Sequence, residues 1–347
     1  MYVSLFSINS LITISFLIST LVGTLLSVAY YTLFERKVLA AMQRRRGPNA
    51  VGIYGLLQPI ADGVKLMSKE GIKPWLAVSS IYTAAPMVSI IFSFVGWSVL
   101  PSSNTYLINI SSNIDIIIFF CITSLGGYGV ILAGWGSFSR YAVMGALRGL
   151  AQLISYEVVL LLLIIPVATI SGSFSFSEIS AIQGETCWFL LPFLPSAFIF
   201  FIILLAETNR TPFDLPEAEA ELVSGFNVEY SSMLFAMFSL AEYNSMLLMS
   251  SLFSILFLGA WSNGLIFFAI KVLFVAFLIV QVRAALPRYR YDQLMSLCWY
   301  IFLPISVALV SFYVSLVVLF SINLVKPETI FWEIENSILY FFNEKLC

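Results

Sequence analysis

Hydrophobic residues are gathered into eight long runs, and the segments between the runs hold most of the charges. The runs lie near residues 9–34, 79–100, 114–134, 152–170, 188–206, 232–260, 265–285 and 297–322. A transmembrane helix needs about 20 consecutive apolar residues, and only helices or closed barrels satisfy the backbone in lipid. The runs lack the apolar–polar alternation of barrel strands. The pattern therefore predicts an all-α integral membrane protein with about eight membrane-spanning helices, in a single transmembrane domain over residues 1–347.

The positive charges favour one orientation of these helices. Of the 17 lysines and arginines, 14 lie in the first, third, fifth and seventh connections, which are residues 35–78, 135–151, 207–231 and 283–296. Lys326 and Lys345 fall on the other side, and Lys271 lies inside a run. Because loops on the cytoplasmic side carry an excess of Lys and Arg, these four connections are predicted to face the cytoplasm or the mitochondrial matrix.

Composition agrees with a membrane protein and removes several kinds of function. Hydrophobic residues make up 60% of the chain, and its mean hydropathy is +0.96. There is no histidine, and the four cysteines form no C-x-x-C, so we expect no haem, zinc or iron–sulfur site held by this chain alone. A net charge of −2 argues against a nucleic-acid partner. The first run lacks a basic start and a small-residue cleavage site, so we expect a retained span.

A shorter amphipathic pattern lies within the first connection, over residues 56–69. Its apolar residues recur at helical spacing, while Asp62 and Lys65 fall on the opposite face. One interpretation is a peripheral helix at the membrane interface with a solvated face. The other is a helix that roofs a cavity, with Asp62 and Lys65 pointing inward.

Six carboxylates are crowded into residues 206–230, with only Arg210 among them. They are Glu207, Asp214, Glu217, Glu219, Glu221 and Glu229. Asp214 and Glu217 fit an N-terminal capping box, which explains those two acids and not the others. Like charges at i and i+4 of a helix repel, and neighbouring carboxylates raise one another's pKa. The segment therefore indicates a cluster that can exchange protons near neutral pH, as a proton relay requires.

Three ionisable residues lie inside the apolar runs, away from the last residues at either end. Glu157 is near the start of the fourth run, Glu242 is within the sixth, and Lys271 is early in the seventh. Each costs at least about 2.5 kcal/mol at the centre of a bilayer, so each is a functional candidate. The alternative is a structural ion pair between Glu242 and Lys271 that only holds two helices together.

The last positive loop offers counterions for the acidic segment. Arg283, Arg288 and Arg290 lie on the same predicted side as the six carboxylates. They either compensate those acids or anchor the neighbouring helices at the membrane surface.

Four segments closely resemble the signature segments of the NADH–ubiquinone oxidoreductase chain 1 family, a membrane subunit of respiratory complex I. They are ERKVLAAMQRRRGPNAVGIYGLLQPIADGVKL, LRGLAQLISYEV, AETNRTPFDLPEAEAELVSGFNVEY and PRYRYDQLMSLCW. They occur in order and cover residues 35 to 300 approximately. One departure is Tyr300, where the family often has lysine.

The resemblance implies a bundle of eight tilted helices that forms much of a channel for ubiquinone. Glu35, Arg36, Lys37, Asp62, Lys65 and Arg210 would line or support the quinone path. Proton coupling would use Glu157, Glu207, Asp214, Glu217, Glu219, Glu221, Glu229 and Glu242, with Lys271 as a further member. The FMN and the iron–sulfur clusters would belong to partner subunits. The expected partners are the quinone-module subunits of the peripheral arm and the neighbouring subunits of the membrane arm. Charged residues are scarce and Phe, Ile and Ser are abundant, which resembles the product of an AT-rich organelle genome. This composition favours the mitochondrial inner membrane over a bacterial plasma membrane.

Three rival functions share some of these features. The first is the homologous membrane subunit of an energy-converting hydrogenase, which would bind no quinone. The second is an independent ion-coupled transporter, although the two halves show no repeat and the charges cluster on one side. The third is a passive membrane anchor whose acids dock a basic partner.

Overall fold

The structure, a computed structural model, describes residues 2–101, 113–215, 225–262 and 264–324. The regular secondary structure within these ranges is helical throughout. The helices are α1 Tyr2–Met42, α2 Gln58–Ser68, α3 Ser79–Val99, α4 Asp115–Ser137, α5 Arg140–Ser171, α6 Phe176–Glu185, α7 Leu194–Glu207, α8 Ser232–Phe257, α9 Leu265–Ala285, α10 Tyr291–Ser296 and α11 Leu303–Leu324. A π-helix, Leu297–Phe302, joins α10 to α11. The predicted all-α membrane class is confirmed.

Seven helical segments of the described chain are long and apolar enough to cross a membrane, and the predicted span at 188–206 differs from them. Its helix α7 starts only at Leu194 and has 14 residues, which is below the usual length for a span. Residues 188–193 form turns instead, and the backbone N–H of Leu190 bonds to the Phe257 carbonyl at 2.9 Å. Pro192 and Pro195 flank this start, and Pro195 occupies the first helical turn, where a proline is well tolerated.

Helix α5 begins earlier than the apolar run that predicted it. The run starts near residue 152, whereas the helix starts at Arg140 and has 32 residues. Ser139 caps this start, since its side chain accepts a hydrogen bond from the Ala142 N–H at 3.3 Å. At 1.5 Å per residue the helix is about 48 Å long, so it extends beyond the roughly 30 Å hydrocarbon layer or crosses it at an angle.

Helix α8 is the centre of the bundle. Within its apolar stretch 78% of the residues are buried, against 50% or less in each of the other six long segments. It packs against α3, α9 and α1, and its last half is buried on every side. Glu242 and Tyr243, which lie in its first half, are half-buried.

Hydrogen bonds place the charged connections on one side of the bundle. Ser232, at the start of α8, donates to the carbonyls of Leu66 and Lys69 at 3.0 and 2.6 Å. The Tyr289 N–H bonds to the Pro212 carbonyl at 3.1 Å. On the opposite side, Gln183 donates to the Ile255 carbonyl at 2.9 Å. These contacts agree with the alternation of sides that the positive charges predict.

Glycines let α3 and α4 approach closely. A Cβ at Gly129 of α4 would lie 2.8 Å from the Cβ of Ser89 on α3. A Cβ at Gly136 would lie 2.9 Å from the backbone nitrogen of Tyr82. Small residues at helix contacts allow this close backbone packing within membranes.

We expect Gly129→Ala to lower the thermal denaturation temperature of the purified protein complex. The added methyl group meets α3, and overpacking of this kind costs roughly 1–3 kcal/mol. Gly23→Ala is the matched control, because a Cβ at Gly23 has no neighbour within 4 Å. An equal denaturation temperature for both variants would show that the α3–α4 contact is not tight.

Candidate functional site

A buried ion cluster joins three segments of the charged side. The carboxylate of Glu35 on α1 is 3% exposed and accepts a hydrogen bond from Arg283 near the end of α9. The guanidinium of Arg210, just after α7, lies 3.6 Å from the same carboxylate oxygen. The hydroxyl of Tyr243 on α8 accepts a hydrogen bond from Arg210 and donates one to Glu35. The centre of its ring lies 4.6 Å from the guanidinium carbon of Arg210. Two guanidinium groups thus share one carboxylate.

Arg210 is held charged by this arrangement. Burial is the largest single influence on Arg210 and would lower its pKa, but Glu35, Tyr243 and Glu242 together outweigh burial and raise the pKa of Arg210. The charge of Glu242, one residue before Tyr243, acts on Arg210 in the same direction. Arg210 therefore connects the Glu35 cluster to the carboxylate on α8.

The other predicted quinone-path residues lie nearer the protein surface. Arg36 binds Asp62 of α2 at 2.7 Å, and the two side chains are 52% and 36% exposed. Lys37 donates to the Tyr54 carbonyl at 2.6 Å. Lys65 is exposed, and α2 has no buried side chain. Asp62 faces its partner Arg36 at the surface of this chain, and the alternative of a helix that roofs a cavity with Asp62 and Lys65 pointing inward stays a prediction.

The acidic segment is fixed where it leaves α7. Gln152 on α5 donates to the carbonyls of Ala206 and Phe213, each at 2.8 Å. Asp214 then binds Arg288 at 2.9 Å. The predicted compensation by the last basic loop is thus confirmed for Arg288, whereas Arg283 binds Glu35 instead.

A cavity of about 120 Å³ lies between α3, α4, α5 and α8. Most of its lining is apolar, and Glu207, Asn209 and Glu242 are the polar groups with ionisable or amide side chains among it. One carboxylate oxygen of Glu207 and the amide oxygen of Asn209 are buried without a hydrogen-bond partner. Glu157 on α5 is near enough for its charge to act on Glu207. Two of the predicted proton-coupling acids, Glu207 and Glu242, thus line this cavity, and a third, Glu157, lies near Glu207.

The remaining predicted acids have different outcomes. Glu217, Glu219 and Glu221 lie outside the described residues, and Glu217 is also the predicted capping partner of Asp214. Glu229 is partly buried, and its backbone carbonyl accepts a hydrogen bond from the Tyr82 hydroxyl at 2.7 Å.

Lys271 lies at the opposite end of the bundle from these acids. Its ammonium group donates to the Ala260 carbonyl at 3.1 Å and lies 4.9 Å from the centre of the Trp188 ring. Ala260 follows the far end of α8, about 22 Å along that helix from Glu242. The alternative of a Glu242–Lys271 ion pair is therefore wrong, because the antiparallel helices place the two residues at opposite ends.

Sequence analysis missed several polar members of the site. Tyr243 directly follows Glu242, and Gln152 is a single amide in an apolar run. Polar residues within membrane helices tend to be functional, and this signal could have found both. Asn209 has a positive φ of 49°, which sequence alone did not indicate. Within the described residues, no group of three His, Cys, Asp or Glu residues is placed to hold a metal ion.

These features define a membrane protein of many spans that carries buried carboxylates beside an internal cavity and a buried ion cluster. A family model described as NADH dehydrogenase matches residues 15–314. NADH-ubiquinone oxidoreductase chain 1 of Arabidopsis thaliana is 52% identical over 82% of this chain and 90% of its own length. The chain of the same name from Metridium senile is 46% identical over 94% and 99%. A bacterial relative from Rhodospirillum rubrum, named as part of an NADH-quinone oxidoreductase, is 48% identical over 80% and 86%.

The chain therefore belongs to the NADH dehydrogenase family. This confirms the resemblance that the four sequence segments carried. The relatives are named as component chains of an oxidoreductase, so family membership also confirms that the protein is a subunit of an enzyme.

We expect Glu35→Gln to destabilise the purified complex strongly. The change leaves Arg210 and Arg283 close together without their shared counterion, and breaking a buried ion pair costs roughly 3–5 kcal/mol. Asp62→Asn is the control, since it breaks an exposed pair worth about 1 kcal/mol or less. Thermal denaturation should separate the two variants clearly. Equal denaturation temperatures would mean that the Glu35 cluster does not hold the three segments together.

Proposed function

We propose that this chain is the membrane subunit of a proton-pumping NADH:quinone oxidoreductase, and that its buried carboxylates couple quinone reduction to proton transfer. The observation that carries the proposal is a set of charged groups that lie near one another from Glu35 to Glu157. Arg210 lies 3.6 Å from Glu35, and the negative charge of Glu242 raises the pKa of Arg210. Glu242 lines the same cavity as Glu207, and Glu157 acts on Glu207.

Charge movement at one end of this series affects the other end for a simple electrostatic reason. A quinone that gains two electrons becomes basic and takes up two protons. In a protein interior of low dielectric, an uncompensated charge nearby costs several kcal/mol. The protonation of neighbouring carboxylates is coupled, so a change at Glu242 alters the proton affinity of Glu207 and then of Glu157. The unpartnered oxygens of Glu207 and Asn209 offer acceptor sites for cavity water that would carry the protons.

The quinone path would run along the Glu35 cluster and the contact between α1 and α2. Arg36 and Asp62 form an ion pair there, and Lys37 is bonded to the backbone of Tyr54. Glu35 and Arg210 lie deeper, within the bundle. Ubiquinone is the substrate in this proposal, whereas the FMN and the iron–sulfur clusters belong to partner subunits.

The proposed location is the mitochondrial inner membrane, where the charged side faces the matrix and meets the peripheral-arm subunits. The relatives' names favour this function over a hydrogenase subunit, a transporter or a passive anchor. NADH oxidation by the native complex with a short-chain quinone, blocked by quinone-site inhibitors, would support the proposal. A complex that transfers no electrons to quinone would favour the hydrogenase or the transporter.

We expect Glu242→Gln and Glu157→Gln each to lower the inhibitor-sensitive NADH:quinone rate and proton pumping roughly tenfold or more, as for loss of a proton-transfer group. Glu185→Gln is the matched control, because Glu185 is an exposed acid at the end of α6 on the opposite side. The rates are compared per assembled complex in vesicles. Unchanged reduction and pumping in both the Glu242 and the Glu157 variant would contradict the proposed coupling.

We expect Asp62→Asn to act on quinone binding and not on coupling. Loss of its carboxylate frees Arg36 at the proposed entrance, so the KM for a short-chain quinone should rise several-fold while kcat changes little. Steady-state kinetics over a range of quinone concentrations measure both constants. A normal KM would remove Asp62 from the quinone path.

A further inference from the structure

The last long helical segment is interrupted by a turn of π-helix beside α5. The N–H of Leu303 bonds to the carbonyl of Cys298, five residues back, as a π-helix requires. Single π-turns inside α-helices are rare and are frequent at functional sites. The residues of this turn, Leu297–Phe302, therefore invite the question of what they hold.

Three side-chain hydrogen bonds join this region to one turn of α5. The indole N–H of Trp299 donates to the Ser155 hydroxyl oxygen at 3.3 Å, and the Cys298 thiol donates to the Ser155 carbonyl at 3.3 Å. The Tyr156 hydroxyl donates to the Leu294 carbonyl at 3.0 Å. Consecutive residues on an α-helix point about 100° apart. The π-turn thus brings two neighbouring side chains, Cys298 and Trp299, onto the same residue of α5.

The opposite side of this turn of α5 faces the carboxylate site. Leu153 lines the cavity, and Glu157 lies four residues further on, so the two side chains share one face of the helix. Ser155 is two residues from each and points to the other face. Helix α5 is therefore held between the π-turn on one side and the cavity with Glu207 on the other.

We propose that Trp299, assisted by Cys298, is a positioning residue for Glu157. It acts through Ser155, which fixes the depth and rotation of the turn of α5 that carries the carboxylate. The inference rests on the proposed function of Glu157 and adds a residue that touches neither quinone nor proton. Displacement of a reacting group by about 1 Å can cost a hundredfold in rate, so weak bonds that set its position have large effects.

Trp299→Phe removes the indole N–H and keeps most of the apolar volume. We expect a three- to tenfold lower kcat for NADH:quinone reduction with an unchanged KM for quinone, because Glu157 is not on the quinone path. Ser155→Ala removes the acceptor and should have the same effect. The two changes together should have no more effect than one alone, since they break the same bond. Ser155→Ala carries the test if Trp299→Phe fails to assemble.

The decisive measurement is a double-mutant cycle with Glu157→Gln in the assembled complex. If Trp299 acts by placing the carboxylate, Trp299→Phe should change the rate no further once Glu157 is replaced. A merely structural role would give additive losses. Tyr313→Phe is the control, because it removes another hydrogen bond made by the same helical segment. That bond runs from the Tyr313 hydroxyl to the Pro192 carbonyl at 3.2 Å, on the side of the bundle opposite the charged connections. It should leave the rate unchanged in both backgrounds.

The outcomes separate the two proposals. If Glu157→Gln is itself without effect, the proposed function of Glu157 fails. If Glu157→Gln lowers the rate but Trp299→Phe and Ser155→Ala do not, or if their losses add to it, the positioning role fails while the proposed function stands.

Discussion

The buried carboxylate of Glu35 is the contact on which the charged side of this protein depends. A single negative charge inside the bundle holds Arg210 and Arg283, which come from segments distant in the chain. Taking these ions out of water costs several kcal/mol each, and only their mutual contact offsets that cost. Ion pairs with Glu35 therefore hold the start of the acidic segment and the end of α9 against α1. The Gln152 amide on α5 also binds the start of the acidic segment.

Helix α8 brings this cluster next to the cavity. Tyr243 reaches Glu35 and Arg210, while Glu242, its neighbour in sequence, lines the cavity. Adjacent residues on a helix face different directions, so one turn of α8 serves both places at once. The burial of α8 inside the bundle makes this connection rigid, and Arg210 carries the electrostatic influence across it.

The cavity has a second fixed wall in α5. This helix presents Leu153 and Glu157 to the carboxylate site. On its other faces Ser155 binds the π-turn and Tyr156 binds the Leu294 carbonyl of α10. Helices α5 and α8 thus each make polar contacts on more than one face.

The amino-acid sequence was sufficient to predict the membrane class, the helical runs and the residues that could carry charge into the bundle, because hydrocarbon requires long apolar helices and makes every internal charge costly. It also carried the family through four polar segments. The sequence did not predict that α7 starts only at Leu194, because apolar turns and an apolar helix have similar compositions. Only the folded chain shows which charge meets which. Arg283 binds Glu35, Lys271 lies far from Glu242, and Glu207 and Glu242 line one cavity, because pairing depends on helix direction and register rather than on residue type.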